Sequence, residues 1–110
     1  TTTTTTQEGA PFVVATLNAL APSLLRKHAT LYRDDEVREP WESRRKRCAR
    51  ELRSHGVEVV CLQECEDAEA FARELELECA VFAPSGGRER SDGCAIFFDA
   101  RRFRLAEAEA

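Results

Sequence analysis

The sequence predicts an α/β fold built on a mixed sheet, and three observations carry that prediction. Short apolar runs rich in β-branched residues at 12–17, 57–62, 79–84 and 94–98 read as strands. Between the first two, Trp41, Cys48, Ala49 and Leu52 recur at helical spacing within a highly charged segment. Between the second and third, Ala68, Phe71, Ala72 and Leu75 mark one face of a second helix. Strand, helix, strand, helix, strand, strand combines a parallel crossover with antiparallel neighbours.

The elements follow in order. TTTTTTQEGA at 1–10 is polar and of low complexity, offers nothing to pack, and is expected to be a disordered tail ahead of a domain at 11–110. Asn18 stands at the carboxyl end of the first strand, and Pro22 and Ser23 then break the pattern, leaving a loop over 19–39 with a short helical turn at 23–28. Pro40 suits the first turn of a helix, where its missing N–H costs nothing. Arg44, Lys46, Arg47, Arg50 and Arg53 are expected on the solvated faces of that helix, His55 in its last turn, and Gly56 as its left-handed cap. VEVVCL forms the second strand, with Gln63 and Glu64 following directly and no turn residue between. Asp67 is the expected N-cap of the second helix, Pro84 stops the third strand, 85–93 is a polar loop, and FRLAEA at 103–108 is the candidate fifth strand.

Near-continuous apolar strands imply a sheet covered on both faces, yet two helices cover only one. The sequence therefore reads as part of a domain. At 110 residues, 43% hydrophobic and 33% charged, it is ordinary globular material for one domain. The longest apolar runs, such as CAIFF at 94–98, are too short to cross a membrane, and no basic start with an apolar core suggests secretion; the cytoplasm, or the nucleus, is the expected compartment. A net charge of −4 argues against coating nucleic acid by charge alone, but permits a phosphate substrate handled through a divalent cation. Five cysteines without a CxxC pair read as small buried hydrophobes in a reducing compartment, and Cys61, Cys65 and Cys79 match no standard zinc spacing.

Asn18 and Glu64 both close apolar strands. If the intervening helix makes a right-handed crossover, those strands run parallel and their carboxyl ends open on one edge, where α/β sheets bind ligands. An amide and a carboxylate there suit magnesium, which takes few protein oxygens and keeps its waters. On spacing alone, a solvated strand-end acid is the commoner outcome, and Asp92-Gly93 is by default a turn.

TLNAL, Trp41-x-x-Arg44, VEVVCLQEC and SDGCAIFF stand in an order and spacing that resemble the endonuclease/exonuclease/phosphatase superfamily. Within it they resemble the deadenylase branch: the carbon-catabolite-repressor-type poly(A) nucleases, nocturnin and the angel proteins. LQE is common to the superfamily, whereas DGCAIFF is specific to this branch, and the resemblance spans residues 11–106. It implies a four-layer α/β sandwich, of which this chain would form the amino-terminal half, with four to five strands in a mixed sheet and two main helices. It also implies a magnesium-dependent 3′ exoribonuclease acting on the RNA 3′ end, poly(A) above all, with manganese as the alternative cation and a nocturnin-type phosphatase of a dinucleotide phosphate as the alternative activity. Glu64 matches the metal-binding glutamate and Asn18 the phosphate-binding asparagine. Arg88, or Arg90 in its place, is a further substrate-binding candidate, because the family often has a basic residue where this chain has Ser85. Leu17 replaces a common tyrosine, and the family's Asp-x-Asn and late Asp-His pairs have no match, His28 and His55 lying in other segments. An incomplete catalytic domain is thus expected, with a non-catalytic interaction module, docking through the open sheet face, as the competing reading. The oligomeric state is not readable from these residues.

Overall fold

The computed structural model describes residues 2–5, 11–19, 39–86 and 91–109, and seven elements form among these described residues. The strands are β1 (Thr2–Thr5), β2 (Phe12–Asn18), β3 (Val59–Cys65), β4 (Glu78–Pro84) and β5 (Gly93–Phe98); the helices are α1 (Trp41–Ser54) and α2 (Ala68–Leu75). They make one sheet in the order β1-β2-β3-β5-β4. β2 and β3 are parallel, joined through α1, and every other neighbouring pair is antiparallel. The expected mixed sheet with two helices is what forms. The expected turn at 23–28, His28, Arg88 and Arg90 lie outside the described residues.

Alternation sorts the strands into two faces. Ala15, Val60, Leu62, Ala95 and Phe97 point to one face and join Ala49, Leu52, Phe71 and Leu75 of the helices in a single core. Phe71 and Phe97 are fully buried, their ring centroids 6.4 Å apart, and burial of each contributes about 1.5–3 kcal/mol. The opposite face carries Val14, Val59, Cys61 and Ile96, the last 39% exposed, and no helix of the described residues covers it. The helices are tied to one another by Arg45, whose guanidinium donates to Glu74 at 2.6 and 3.3 Å, and by Arg53 donating to Glu76 at 2.9 Å. α1 ends as its sequence dictates, at Gly56 with φ 67, whose N–H reaches the Arg53 carbonyl at 3.0 Å.

Four expectations need correction. Thr2–Thr5, placed in a disordered tail by composition, pair antiparallel with Phe12–Ala15, and threonine's branched Cβ favours such an extended backbone. Residues 103–109 form no strand: the chain turns at Asp99, whose carbonyl accepts from the Arg102 and Phe103 N–H groups at 3.1 and 2.9 Å, and leaves the sheet. The fifth strand is β1 instead. Arg44, expected on a solvated face, is only 7% exposed. Asp67 does sit at the α2 N-cap position, but with φ 55 and no side-chain cap bond, since its carboxylate is spent on α1.

Candidate active site at the strand ends

Glu64 occupies the one irregularity in the β3–β5 ladder. Leu62 pairs with Ala95 and Cys65 with Gly93, so three steps along β3 answer two along β5 and one residue is extra. Glu64 takes up the difference with φ 52, a left-handed conformation that an L residue adopts at a cost of about 1–2 kcal/mol. A bulge with a left-handed residue ordinarily uses glycine, and bulges cluster beside active sites, where they re-aim a side chain. Among the described residues two other non-glycine positions have positive φ: Glu76 at 60, where the left-handed C-cap of α2 accounts for it, and Asp67 at 55, at the α2 N-cap position, where its carboxylate is bonded to Trp41 Nε1. Helix capping gives no such account of Glu64.

The parallel register brings Asn18 alongside. Asn18 pairs with Gln63, and the Ala19 N–H extends the ladder one step to the Gln63 carbonyl at 2.7 Å. Asn18 and Gln63 therefore share a sheet face, with Glu64 the next residue on β3. Gln63 is fixed by donation from its Nε2 to Thr16 Oγ1 at 3.0 Å. Asn18 is exposed and Glu64 half-buried. The expectation that both strands end on one edge is met; the structure says nothing of Arg88.

Residues that the sequence did not single out as partners surround these ends. Arg44 Nη1 donates to the Ala19 carbonyl at 3.3 Å, and its guanidinium lies 4.9 Å from the Trp41 ring. Trp41 Nε1 donates to Asp67 Oδ2 at 2.7 Å, an oxygen that also lies 3.5 Å from Arg45 Nη1. Leu17, Asn18, Ala19, Trp41, Arg44, Arg47, Cys48 and Phe71 line a cleft of about 190 Å³ here. Arg44 was legible after all: it lies three residues after Trp41 and four before Cys48, on their face of the helix.

Asp92 and Gly93 do not form the expected turn. Asp92 is 1% exposed and accepts from the Ser85 hydroxyl at 3.1 Å, while the Ser85 N–H bonds its carbonyl at 3.0 Å. Gly93 already belongs to β5, and a Cβ there would lie 2.3 Å from the Ala83 carbonyl oxygen. The glycine is needed for close strand approach.

The chemistry of the donor set decides what this edge could hold. Glu64 takes part in none of the ion pairs among the described residues. Nor do the described residues gather three or more His, Cys, Asp or Glu able to hold a metal ion. One uncommitted carboxylate beside amides fits a hard cation that keeps most of its waters, and does not fit a closed metal cage. Burial pushes the thiol of Cys65, next along β3, up to about 12, and likewise takes Cys48 to about 11, so both thiols are held protonated in the chain by itself.

Comparison with known proteins bears on the chain's sequence relationship and its fold. No family model matches the chain. It is 37% identical over 82 residues to the CCR4-Not complex 3′-5′-exoribonuclease subunit Ccr4 of Aspergillus clavatus, an alignment covering 63% of this chain and 12% of that protein. Two solved structures of ANGEL2, a 2′,3′-cyclic phosphatase, superpose with TM-scores of 0.70 and 0.67 at 27% and 28% identity. They cover 84% and 81% of this chain and 28% and 27% of theirs, and the second holds adenosine-2′,3′-vanadate. The chain thus spans about an eighth of the length of the curated relative, 12%, and just over a quarter of ANGEL2. Within those limits, it is related to the deadenylase-type enzymes of the endonuclease/exonuclease/phosphatase superfamily, and its α/β fold matches part of ANGEL2.

Proposed function

We propose that this chain supplies the strand-end edge of a metal-dependent hydrolase acting at the 3′ end of RNA, in the manner of a poly(A) deadenylase. The observation that carries the reading is the pairing of Asn18 with Gln63, which sets an exposed amide beside a carboxylate held at a left-handed bulge. In this reading Glu64 holds a magnesium or manganese ion, and its uncommitted, half-buried carboxylate is suited to that. A hard divalent cation bound there supplies Lewis acidity to a phosphoryl oxygen and offsets charge on the leaving oxygen. Asn18, at the end of β2, donates its amide N–H to a phosphate oxygen and orients it. The bulge fixes the Glu64 backbone before any ligand arrives, so little reorganisation is needed on binding.

A second reading has its own support in the ANGEL2 superpositions, one with an adenosine-2′,3′-vanadate complex. The same edge would then open a 2′,3′-cyclic phosphate at an RNA end. Both readings share Glu64 and Asn18, and differ in the phosphate ester presented.

Manganese titration followed by amide relaxation tests the shared part. Resonances of Asn18, Gln63 and Glu64 should broaden first, and Glu64→Gln should abolish the effect; broadening elsewhere with these amides untouched sinks the reading. Anisotropy of a labelled oligoadenylate, with and without magnesium, then separates the two. Magnesium-dependent preference for a free 3′ hydroxyl end supports the deadenylase reading, and preference for a 2′,3′-cyclic phosphate end the other.

A further inference from the structure

Asn18 and Glu64 lie on different strands, and nothing in a β-ladder alone holds both strand ends still where the sheet stops. The chain leaving β2 has Ala19 as its last described residue, and the chain leaving β3 runs through Glu66 to Asp67. Both exits are held by the same turn of α1. Arg44 donates to the Ala19 carbonyl at 3.3 Å, one residue past Asn18. Trp41 donates to Asp67 at 2.7 Å, three residues past Glu64. The two side chains are themselves in contact, the Arg44 guanidinium 4.9 Å from the Trp41 ring, and the ring packs edge-on against buried Phe71 at 5.7 Å.

We infer that Trp41 and Arg44 form a clamp, a pair of positioning residues that sets the spacing between Asn18 and Glu64. The inference rests on the site reading above and deepens it. Its physical basis is that each arm fixes a backbone or cap group rather than the site side chains. Arg44 is 7% exposed, and a guanidinium so buried has lost its water and needs acceptors held in place to replace it. Contact with the Trp41 ring helps to orient its forked donors, a fork that lysine lacks. Asp67 accepts the indole N–H instead of capping its own helix, and takes φ 55 at the N-cap position. A local rule is thus broken at Asp67 in favour of a contact between α1 and the end of β3. The helix that makes the crossover between β2 and β3 also determines how their two ends face each other.

The test uses the chain with Arg44→Gln, Trp41→Phe, Asp67→Ala and Asp67→Asn, read by amide hydrogen exchange and manganese titration. In Arg44→Gln, exchange at Ala19, whose N–H bonds the Gln63 carbonyl, should accelerate about tenfold while Phe97 in the core keeps its wild-type rate. Trp41→Phe keeps a smaller aromatic ring and loses the indole donor, and it should weaken manganese binding about 10- to 100-fold, the scale on which loss of support around a metal site acts. Asp67→Ala should match it, and Asp67→Asn, which retains an acceptor oxygen, should restore binding. Wild-type exchange at Ala19 in a folded Arg44→Gln protein overturns the clamp, as does equal acceleration at Ala19 and Phe97. If Arg44→Gln fails to fold, the Trp41 and Asp67 variants decide, and an Asp67→Asn protein no better than Asp67→Ala overturns it. Should wild-type chain show no manganese effect at Asn18 and Glu64, the site reading fails, while exchange at Ala19 and at Glu66–Asp67 still decides whether the clamp exists.

Discussion

The two ends of β3 solve the same problem in different ways. At its start the chain leaves α1 through Gly56 at φ 67, and charges there find partners: Glu58 with Arg102 at 2.6 Å, Asp99 with Arg101 at 2.9 Å, Arg53 with Glu76 at 2.9 Å. The Arg101 guanidinium also holds the Asp99 carboxyl below the usual carboxylate range. A cavity of about 480 Å³ opens at that end, lined by these paired residues. At the other end a glutamate, not a glycine, takes the left-handed position, and its carboxylate joins no ion pair among the described residues. The 480 Å³ space lies where the polar groups are already satisfied, whereas Glu64 lines neither it nor the 190 Å³ cleft beside Asn18. Here strain and unspent charge locate the candidate site better than volume does.

The comparison requires the strained end to be rigid, and thiol labelling tests that with the largest expected effect. Cys94 is exposed and should react at once, whereas Cys65, fully buried beside Glu64, should be protected about a thousandfold or more. Rapid labelling of Cys65 would mean that the bulge opens freely and stores no strain. The same thiol has a pH signature. Its folded form holds the proton up to about 12, against about 8.5 in the unfolded chain, so its contribution is complete below that lower value and is lost as pH rises through the interval. The denaturant midpoint should therefore fall above roughly pH 8.5, and Cys65→Ala should flatten part of that fall, with Cys48, Cys61 and Cys79, which burial also raises, contributing to the rest.

Gly93→Ala comes next. The new Cβ would meet the Ala83 carbonyl oxygen at 2.3 Å and Phe82 Cε2 at 2.9 Å, and a paired strand backbone cannot step aside. The expected loss is about 3 kcal/mol, the upper end for overpacking, read from chemical denaturation. Because Gly93 pairs with Cys65 across the bulge, manganese broadening at Glu64 should weaken in parallel. A loss confined to stability would separate the β5 edge from the site.

Much of this was legible in the sequence, for reasons that particular residues show. VEVVCL declared a buried strand, the Trp41–Leu52 spacing a helix, and Gly56 its end, because each follows from local periodicity or backbone freedom. The parallel pairing of Asn18's strand with Glu64's followed from the helix between them. The bulge was not legible, since Gln63, Glu64 and Cys65 contain no glycine to announce a left-handed residue. Asp67 was correctly placed at the start of α2, but its carboxylate is taken by Trp41, 26 residues away, and no local rule reports that. Arg44 was assigned to water on its charge, although its spacing from Trp41 and Cys48 put it on their face of the helix.

The sharpest test uses the two left-handed positions against each other. Gly56→Ala places a Cβ in open space at φ 67, so any loss comes from conformation alone: about 1–2 kcal/mol for the left-handed L residue, reduced by about 0.4–1 kcal/mol because alanine restricts the unfolded chain. A net destabilisation of about 1 kcal/mol is expected. Glu64→Gly reverses every sign. It relieves the strain at φ 52, frees the unfolded chain, and forfeits the contacts of a half-buried side chain, leaving a gain of about 0–1 kcal/mol. The more stable protein should lose selective manganese broadening at Asn18 and Gln63 entirely. Stability rising as binding disappears is the pattern of a residue kept for its chemistry at a cost in conformation. If Glu64→Gly instead destabilises the fold as much as Gly56→Ala does, the carboxylate is holding the bulge together, and the two ends of β3 are alike after all.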